Sequence, residues 1–251
     1  MPRSREPDVA ALYHLHSSNV RRRAVELAVD EDRHPPRFRT YPGAPRVALP
    51  GRDFAELDAP LGTLLERRAS HRDFTGTPLP LETLGRLLYA SYGVRGVRDF
   101  EGQRFPHRPA PSAGGLYPLE LYLALQHVEG VADGVYHYDA AAHALELRRP
   151  GAAQPRLAEL TLGQEMLGVA NAVVLVAAVF ERTMWKYGQR GYRYVWLDAG
   201  HLGQNLYLVA DALGLGAVAV GGFFDAELHA LVGLPEDEEQ VIYVVGIGNR
   251  V

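Results

Sequence analysis

The chain has 251 residues, 47% of them hydrophobic, a formal net charge of −4 and no cysteine. That length and apolar content suffice for one large domain with a substantial core. The mild acidity argues against a general nucleic-acid or membrane-surface binder. The missing cysteines exclude disulfides, thiolate metal sites and a cysteine nucleophile.

In chain order, residues 1–8 have no apolar stretch behind them that reads as a signal peptide. Residues 10–29 have a helical pattern, with Arg21, Arg22 and Arg23 on a solvated face. Residues 33–51 carry Pro35, Pro36, Pro42, Pro45 and Pro50, which forbid a continuous helix and predict an extended arm over this domain or over a partner. The expected division is therefore an N-terminal helix and arm over 1–60 and a folded domain over 61–251. Residues 61–68 read as a helix, and 81–92 as an amphipathic one with Leu84, Leu87 and Leu88 on one face. Residues 95–111 read as polar and irregular. Alternation of Leu121, Leu123 and Leu125 predicts a strand over 120–128. Two short strands follow at 134–138 and 144–147, then a short helix at 156–162. Residues 172–180 form the most apolar run, too short for a membrane span and suited to a core strand. The longest helix is expected over 194–213, with Leu202, Leu206, Val209 and Leu213 at helical spacing and the small Ala199 and Gly203 open to close approach by another helix. Strands at 217–220 and 241–245 flank a helix at 226–232. The irregular alternation predicts an α+β domain, a mixed and mostly antiparallel sheet flanked by helices.

Some segments carry chemistry. Arg68, Ser70 and Arg72 alternate, so an extended backbone turns them to one side; guanidinium forks and a hydroxyl suit a phosphate, although a capped helix end would look the same. Arg67 precedes them. Gly114 and Gly115, within Pro111–Pro118, signal a turn. Gly221 and Gly222 open the backbone to a flat ring. Lys186 and Tyr187 are two proton-transfer groups. A lysine base needs burial or neighbouring cations, and Arg182, Arg190 and Arg193 are the cations nearest in sequence. Arg250 is a basic group beside the C-terminus. Gly214–Gly216 and Gly246–Gly248 lack the strand-then-helix order of a dinucleotide fingerprint. The pairs Asp198/His201 and His14/His16 lack a third ligand, so no metal is expected. A phosphorylated planar redox cofactor is the simplest ligand that uses all these segments.

Together, Arg67–Phe74, Pro111–Pro118, the run W-K-Y-G-Q-R-G-Y-R-Y from Trp185, Gly221–Phe224 and Gly246–Arg250 resemble the nitroreductase-like flavoproteins, in particular the SagB-type (thiazole/oxazole-forming) dehydrogenase branch. The resemblance runs from about residue 64 to the end. It implies FMN, held at its phosphate by Arg67, Arg68, Ser70, Arg72 and Arg250; Ala69 stands where the family usually has arginine. It implies ring contacts from Ser112, Ala113 and Gly114, usually of the partner subunit, and from the backbone of Gly221 and Gly222. It implies an intertwined cytoplasmic homodimer with Lys186 and Tyr187 in catalysis, dehydrogenating azolines in a peptide-derived or carrier-bound substrate. An NAD(P)H-dependent nitro or quinone reductase and a flavin-less scaffolding subunit of a modifying complex are the alternatives.

Overall fold

The computed structural model describes residues 8–18, 35–55, 57–100, 102–234 and 238–251. Helix α1 spans Val9–His16; the rest of the helix expected to residue 29, with Arg21–Arg23, lies outside the described residues. Strand β1 (Arg46–Ala48) is followed by helices α2 (Leu61–Arg67) and α3 (Leu81–Tyr92), then by β2 (Gly96–Phe100) and β3 (Gln103–His107). Strands β4 (Leu119–Leu125), β5 (Gly134–Asp139) and β6 (Ala144–Pro150), helix α4 (Gln154–Leu160) and strand β7 (Ala172–Ala178) come next. Helices α5 (Glu181–Tyr187) and α6 (Gln189–Ala212), strand β8 (Leu215–Val220), helix α7 (Asp225–Val232) and strand β9 (Gln240–Asn249) complete the chain.

The expected α+β architecture is present. Seven strands form one sheet in the order β1-β6-β5-β4-β7-β9-β8, and among the described residues every paired strand runs antiparallel, the one parallel contact being an isolated bridge, Leu79 to Val128. The predicted alternation of β4 holds. Leu119, Leu121, Leu123 and Leu125 join the core under α3 and α6, while Tyr122 and Ala124 join a second core under α4 and α7. Each fully buried leucine stabilises the fold by about 1.5–3 kcal/mol relative to an exposed one. Residues 95–111 are not irregular: β2 and β3 pair as an exposed ribbon with Pro106 opposite Val97. Backbone pairing makes this hairpin, and the outer edge of a two-stranded ribbon tolerates a proline that cannot donate, so side-chain pattern gave no sign of it.

On α6, Val195, Ala199, Leu202, Leu206 and Ala210 face this chain's own core. Gly203 likewise serves this chain: a Cβ there would stand 2.7 Å from the Tyr243 ring. The apolar residues α6 leaves exposed are Trp196 and Leu197, at 43% and 58%. The expectation that Ala199 and Gly203 mark a surface for another helix is therefore corrected.

The proline-rich arm crosses this chain's own sheet. Its Arg39 N–H donates to Glu120 Oε1 at 2.8 Å, and Tyr41 bonds Tyr122 hydroxyl to hydroxyl at 2.6 Å. Beneath it lies a buried charge network. Arg182 meets Glu120 at 2.6 Å, and His137 lies between Glu120 at 3.2 Å and Glu146 at 2.9 Å. Burial opposes ionisation of Glu120, but the His137 hydrogen bond and the charges of Arg182 and His137 outweigh it and hold the carboxyl at about 2. Burial also opposes the His137 charge, but the two carboxylates win and raise its pKa. Glu120 thus contributes stability that is present above its ordinary value of 4.5 and lost as pH falls towards about 2. His137 contributes stability present below 6.5 and lost as pH rises through its raised value. Glu120→Gln should lose about 3–5 kcal/mol at neutral pH, because it strands buried cations. Urea unfolding across pH should show the acid-side slope of the wild type flattened in the variant.

Candidate active site

The sequence-predicted residues fall into two clusters and one pair of glycines. The first cluster sits at the C-terminal end of α6. After α2, the backbone extends across the start of β8, with His71 N–H donating to Ala217 O at 2.9 Å and Phe74 bridging to Arg250. Ser70 Oγ lies 3.0 Å from the Tyr207 hydroxyl, which accepts from Ala219 N–H at 2.7 Å. The Arg68 guanidinium sits 5.4 Å from the centre of the Tyr207 ring. Arg67 Nε donates to Asp211 Oδ2 and its Nη2 donates to Asp211 O at 3.0 Å; Arg250 Nη1 donates to Asp211 Oδ1 at 3.1 Å. One buried carboxylate therefore orients and partly neutralises two of the four arginines. Arg68 and the exposed Arg72 have no carboxylate partner among the described residues. The Arg68 guanidinium over Tyr207 and the Ser70 hydroxyl bonded to that tyrosine are donors suited to an oxyanion.

Gly221 and Gly222 lie exposed past the far end of β8, about 13 Å from Ala217 at the strand's rise per residue. Gly221 lines a cavity of about 560 Å³ between α6 and β9, together with Tyr192, Trp196, Gly200 and Tyr243.

The second cluster forms where α5 meets α6. Gly188, at φ 54° and ψ −145°, sits between the two helices in a conformation only glycine adopts readily. Three residues on, Gly191 lets α5 lie close: a Cβ there would stand 3.0 Å from Met184 Cα. The bend sets the Tyr187 ring edge-on to Tyr194, with centres 5.1 Å apart. Opposite it, Ala113–Gly115 form one 3₁₀ turn in which Gly114 has φ 62°. A Cβ on Gly114 would stand 2.7 Å from Tyr187 Oη and 3.4 Å from Lys186 Nζ. The glycine turn and the Lys-Tyr pair, about 70 residues apart in sequence, thus meet. Burial, then Tyr194 and Asp198, raise the pKa of the Tyr187 phenol.

The arginines expected to surround Lys186 turn elsewhere. Arg182 is committed to Glu120 and to Pro36 O, Arg190 to Ser17 O, and Arg193 to Ser17 and His14 beside α1. Sequence proximity misleads here because these guanidiniums are taken up by the sheet, the arm and α1. Sequence reasoning also passed over Tyr207, Asp211 and Asp198. The first two are ordinary helix residues until the fold brings the Arg67–Arg72 segment to them. Asp198 was considered only as a metal ligand with His201, whereas it lines a small cavity with Ser112, Ala113 and Tyr194 as well as His201. No group of three or more potential metal-ligating side chains is placed to hold an ion among the described residues, and no helix there is long and apolar enough to cross a membrane.

An antiparallel sheet flanked by helices, with an arginine–serine cradle at one end of a long helix and a Lys-Tyr pair at the other, defines a member of the nitroreductase-like fold class. The nitroreductase family model matches residues 65–249. A Methanocaldococcus jannaschii protein named as a nitroreductase is 39% identical over 176 residues, 70% of this chain and 85% of that protein. The microcin B17-processing protein McbC of Escherichia coli is 34% identical over 134 residues, 51% of this chain and 49% of McbC, so the match spans about half of McbC's length. A chain of the E. coli microcin synthetase McbBCD complex, with truncated pro-MccB17 bound, shares the fold at a TM-score of 0.64 and 24% identity, covering 97% of this chain and 92% of that one. The chain belongs to the nitroreductase family, an oxidoreductase family.

The contact between the turn and the pair gives a direct test. Gly114→Ala forces an alanine into left-handed backbone and against Tyr187 Oη, and should cost about 1–3 kcal/mol. Adding Tyr187→Phe removes that oxygen and should recover part of the loss. Urea unfolding of the wild type, both single variants and the double variant measures the coupling; additive losses would mean that the contact is not made.

Proposed function

We propose that the protein is an FMN-dependent dehydrogenase that oxidises azoline rings to azoles in a peptide-derived substrate. The meeting of Lys186 and Tyr187 with the Gly114 turn carries this proposal, because it sets two proton-transfer groups against a backbone opening suited to a flat ring. The relationship to McbC, a peptide-processing protein by name, supports the substrate class.

FMN fits the donor set. Arg68, Ser70 and Arg72 would hold its phosphate, with Arg67 and Arg250 oriented by Asp211 beside them. Gly221 and Gly222, past the far end of β8, offer backbone to the ring. The second cluster does not face this groove within one chain. Asp198 and Tyr207 are nine positions apart on α6, about 180° around the helix and about 14 Å along it. A second copy of the chain, docked on exposed Trp196, Leu197 and Phe224, would bring its Ser112–Gly114 turn to the ring. The site is thus proposed to be shared between two copies.

Bound FMN supplies a two-electron acceptor. The substrate carbon that gives up its proton must face a base, and Lys186 Nζ and Tyr187 Oη are the two groups at the turn that can take or relay it. Aromatisation of the product ring drives the overall change.

Purified protein should be yellow and should release FMN on denaturation. Arg68→Ala and Arg72→Ala should each weaken FMN by about 10- to 150-fold, the loss of a charge-assisted hydrogen bond of about 1.5–3 kcal/mol; fluorescence titration of apoprotein measures this, and release of FAD alone would contradict it. Lys186→Ala should keep its colour and lose about 10²–10⁴-fold in rate in anaerobic single-turnover bleaching by a thiazoline-containing peptide. Unchanged bleaching would remove the lysine from the mechanism. Rapid bleaching by NAD(P)H with none by the thiazoline would favour a nitro or quinone reductase.

A further inference from the structure

Two residues of α6 receive most of the first cluster. Tyr207 and Asp211 are four positions apart, so their side chains share one face of the helix. Asp211 takes Arg67 and Arg250. Tyr207 takes Ser70, with the two hydroxyl oxygens 3.0 Å apart, and Arg68, whose guanidinium lies 5.4 Å from the ring centre.

The hydrogen bonds at Tyr207 have a direction that follows from their partners. Strand β8 ends the sheet, and its outer edge has backbone groups to satisfy. His71 N–H donates to Ala217 O at 2.9 Å. Two residues further along the strand, Ala219 N–H donates to Tyr207 Oη at 2.7 Å. An amide N–H can only donate, so it takes a lone pair of the phenol oxygen. The phenol proton then has Ser70 Oγ as its one acceptor among the described residues. A hydroxyl carries one proton and two lone pairs. Ser70 Oγ accepts from Tyr207 and so keeps its own proton for a group outside the pair. Ser70 is exposed, and that proton faces a ligand arriving from solvent. Hydrogen bonds chained in one sense polarise one another, so the Ala219 amide strengthens Ser70 as a donor. The reverse order, with Ser70 donating to Tyr207, leaves the phenol proton with no acceptor in the chain.

We propose that Tyr207 is a positioning residue of the phosphate site. Its hydroxyl passes the direction of the Ala219 N–H to Ser70, so that Ser70 donates outward to a phosphate oxygen, and its ring holds the Arg68 guanidinium beside that donor. The proposal rests on the reading of Arg68, Ser70 and Arg72 as the FMN phosphate cradle. A phosphate oxygen is charged and only accepts, so it gains most from a donor of fixed direction. Riboflavin ends in an uncharged hydroxyl where FMN carries the phosphate, and gains much less.

The test is fluorescence titration of full-length apoprotein with FMN and with riboflavin. It compares wild type, Tyr207→Phe, Ser70→Ala and the double variant. Tyr207→Phe keeps a ring under Arg68 and removes only the hydroxyl. It should weaken FMN by about 2- to 12-fold, the range of one neutral hydrogen bond, and leave riboflavin affinity unchanged. Ser70→Ala should weaken FMN by about 10- to 150-fold, the range of a hydrogen bond to a charged group. The double variant should bind FMN as Ser70→Ala does, because the phenol has no donor left to orient. Tyr207→Leu removes the ring as well and should bind FMN more weakly than Tyr207→Phe. Equal losses of FMN and riboflavin affinity in Tyr207→Phe would make the tyrosine a structural support of the β8 edge and overturn the proposal. Additive losses in the double variant would also overturn it. So would a larger loss from Tyr207→Phe than from Ser70→Ala, which would make the phenol the donor. Wild-type protein that binds riboflavin as tightly as FMN would overturn the cradle reading itself, a failure visible before any variant is compared.

Discussion

Helix α5 is pinned at both ends, and the rest of the site follows from where the pins hold it. At its start Arg182 is buried against Glu120 at 2.6 Å and donates to Pro36 O at 2.7 Å, tying helix, sheet and arm together. At its end Gly188 turns the chain into α6, and Gly191 lets the two helices close. Between these points the helix has little freedom, so Lys186 and Tyr187 project onto the Gly114 turn. An exposed ion pair would not hold a helix this way, since surface pairs contribute about 0–1 kcal/mol. A buried pair whose carboxylate also meets His137 and whose guanidinium Nε donates to Pro36 O is costly to break from either side. The arm that looks like a wrapping segment in the sequence is therefore one of the clamps on the helix that carries the candidate proton-transfer residues.

Helix α6 acts as a spacer between two chemistries. One end gathers arginines around Tyr207 and Asp211, and the other sets Tyr194 edge-on to Tyr187 and places Asp198 in a small cavity with Ser112 and Ala113. Because the two sets point to roughly opposite sides of the helix, a ligand lying along β8 in one chain does not face that chain's own Lys-Tyr pair. Pairing two copies resolves this without distorting either cluster, which is the physical argument for a shared site.

Much of this was legible in the sequence, for identifiable reasons. Leu121, Leu123 and Leu125 announce β4 because alternate residues enter different cores, which imposes a period of two, and Leu202 and Leu206 announce α6 because its core-facing stripe imposes the helical one. The meeting of Arg68 and Ser70 at Tyr207 was half legible: their alternation put them on one side, but the tyrosine that receives them was not visible in the segment. The β2–β3 ribbon was not, since backbone pairing rather than side-chain pattern makes it. Gly203 was read as a surface feature although it accommodates Tyr243, a contact between residues 40 positions apart that no local pattern encodes. Asp211 and Asp198 were missed for the same reason: a helix sequence does not reveal which distant loop will reach its carboxylates.

The claim that one site is built from two chains has a direct measurement. Chains carrying Arg68→Ala with Arg72→Ala lack the cradle, and chains carrying Lys186→Ala lack the proton carrier, so neither should turn over a thiazoline peptide alone. Unfolding and refolding the two together should form mixed dimers in which one of the two sites receives an intact cradle from one chain and an intact Lys186 from the other. Bleaching of FMN by the thiazoline peptide should then return in about one site in four, the statistical share for random pairing in a twofold dimer. Absence of any recovery in verified mixed dimers would place cradle and lysine in the same chain's site and contradict the shared arrangement.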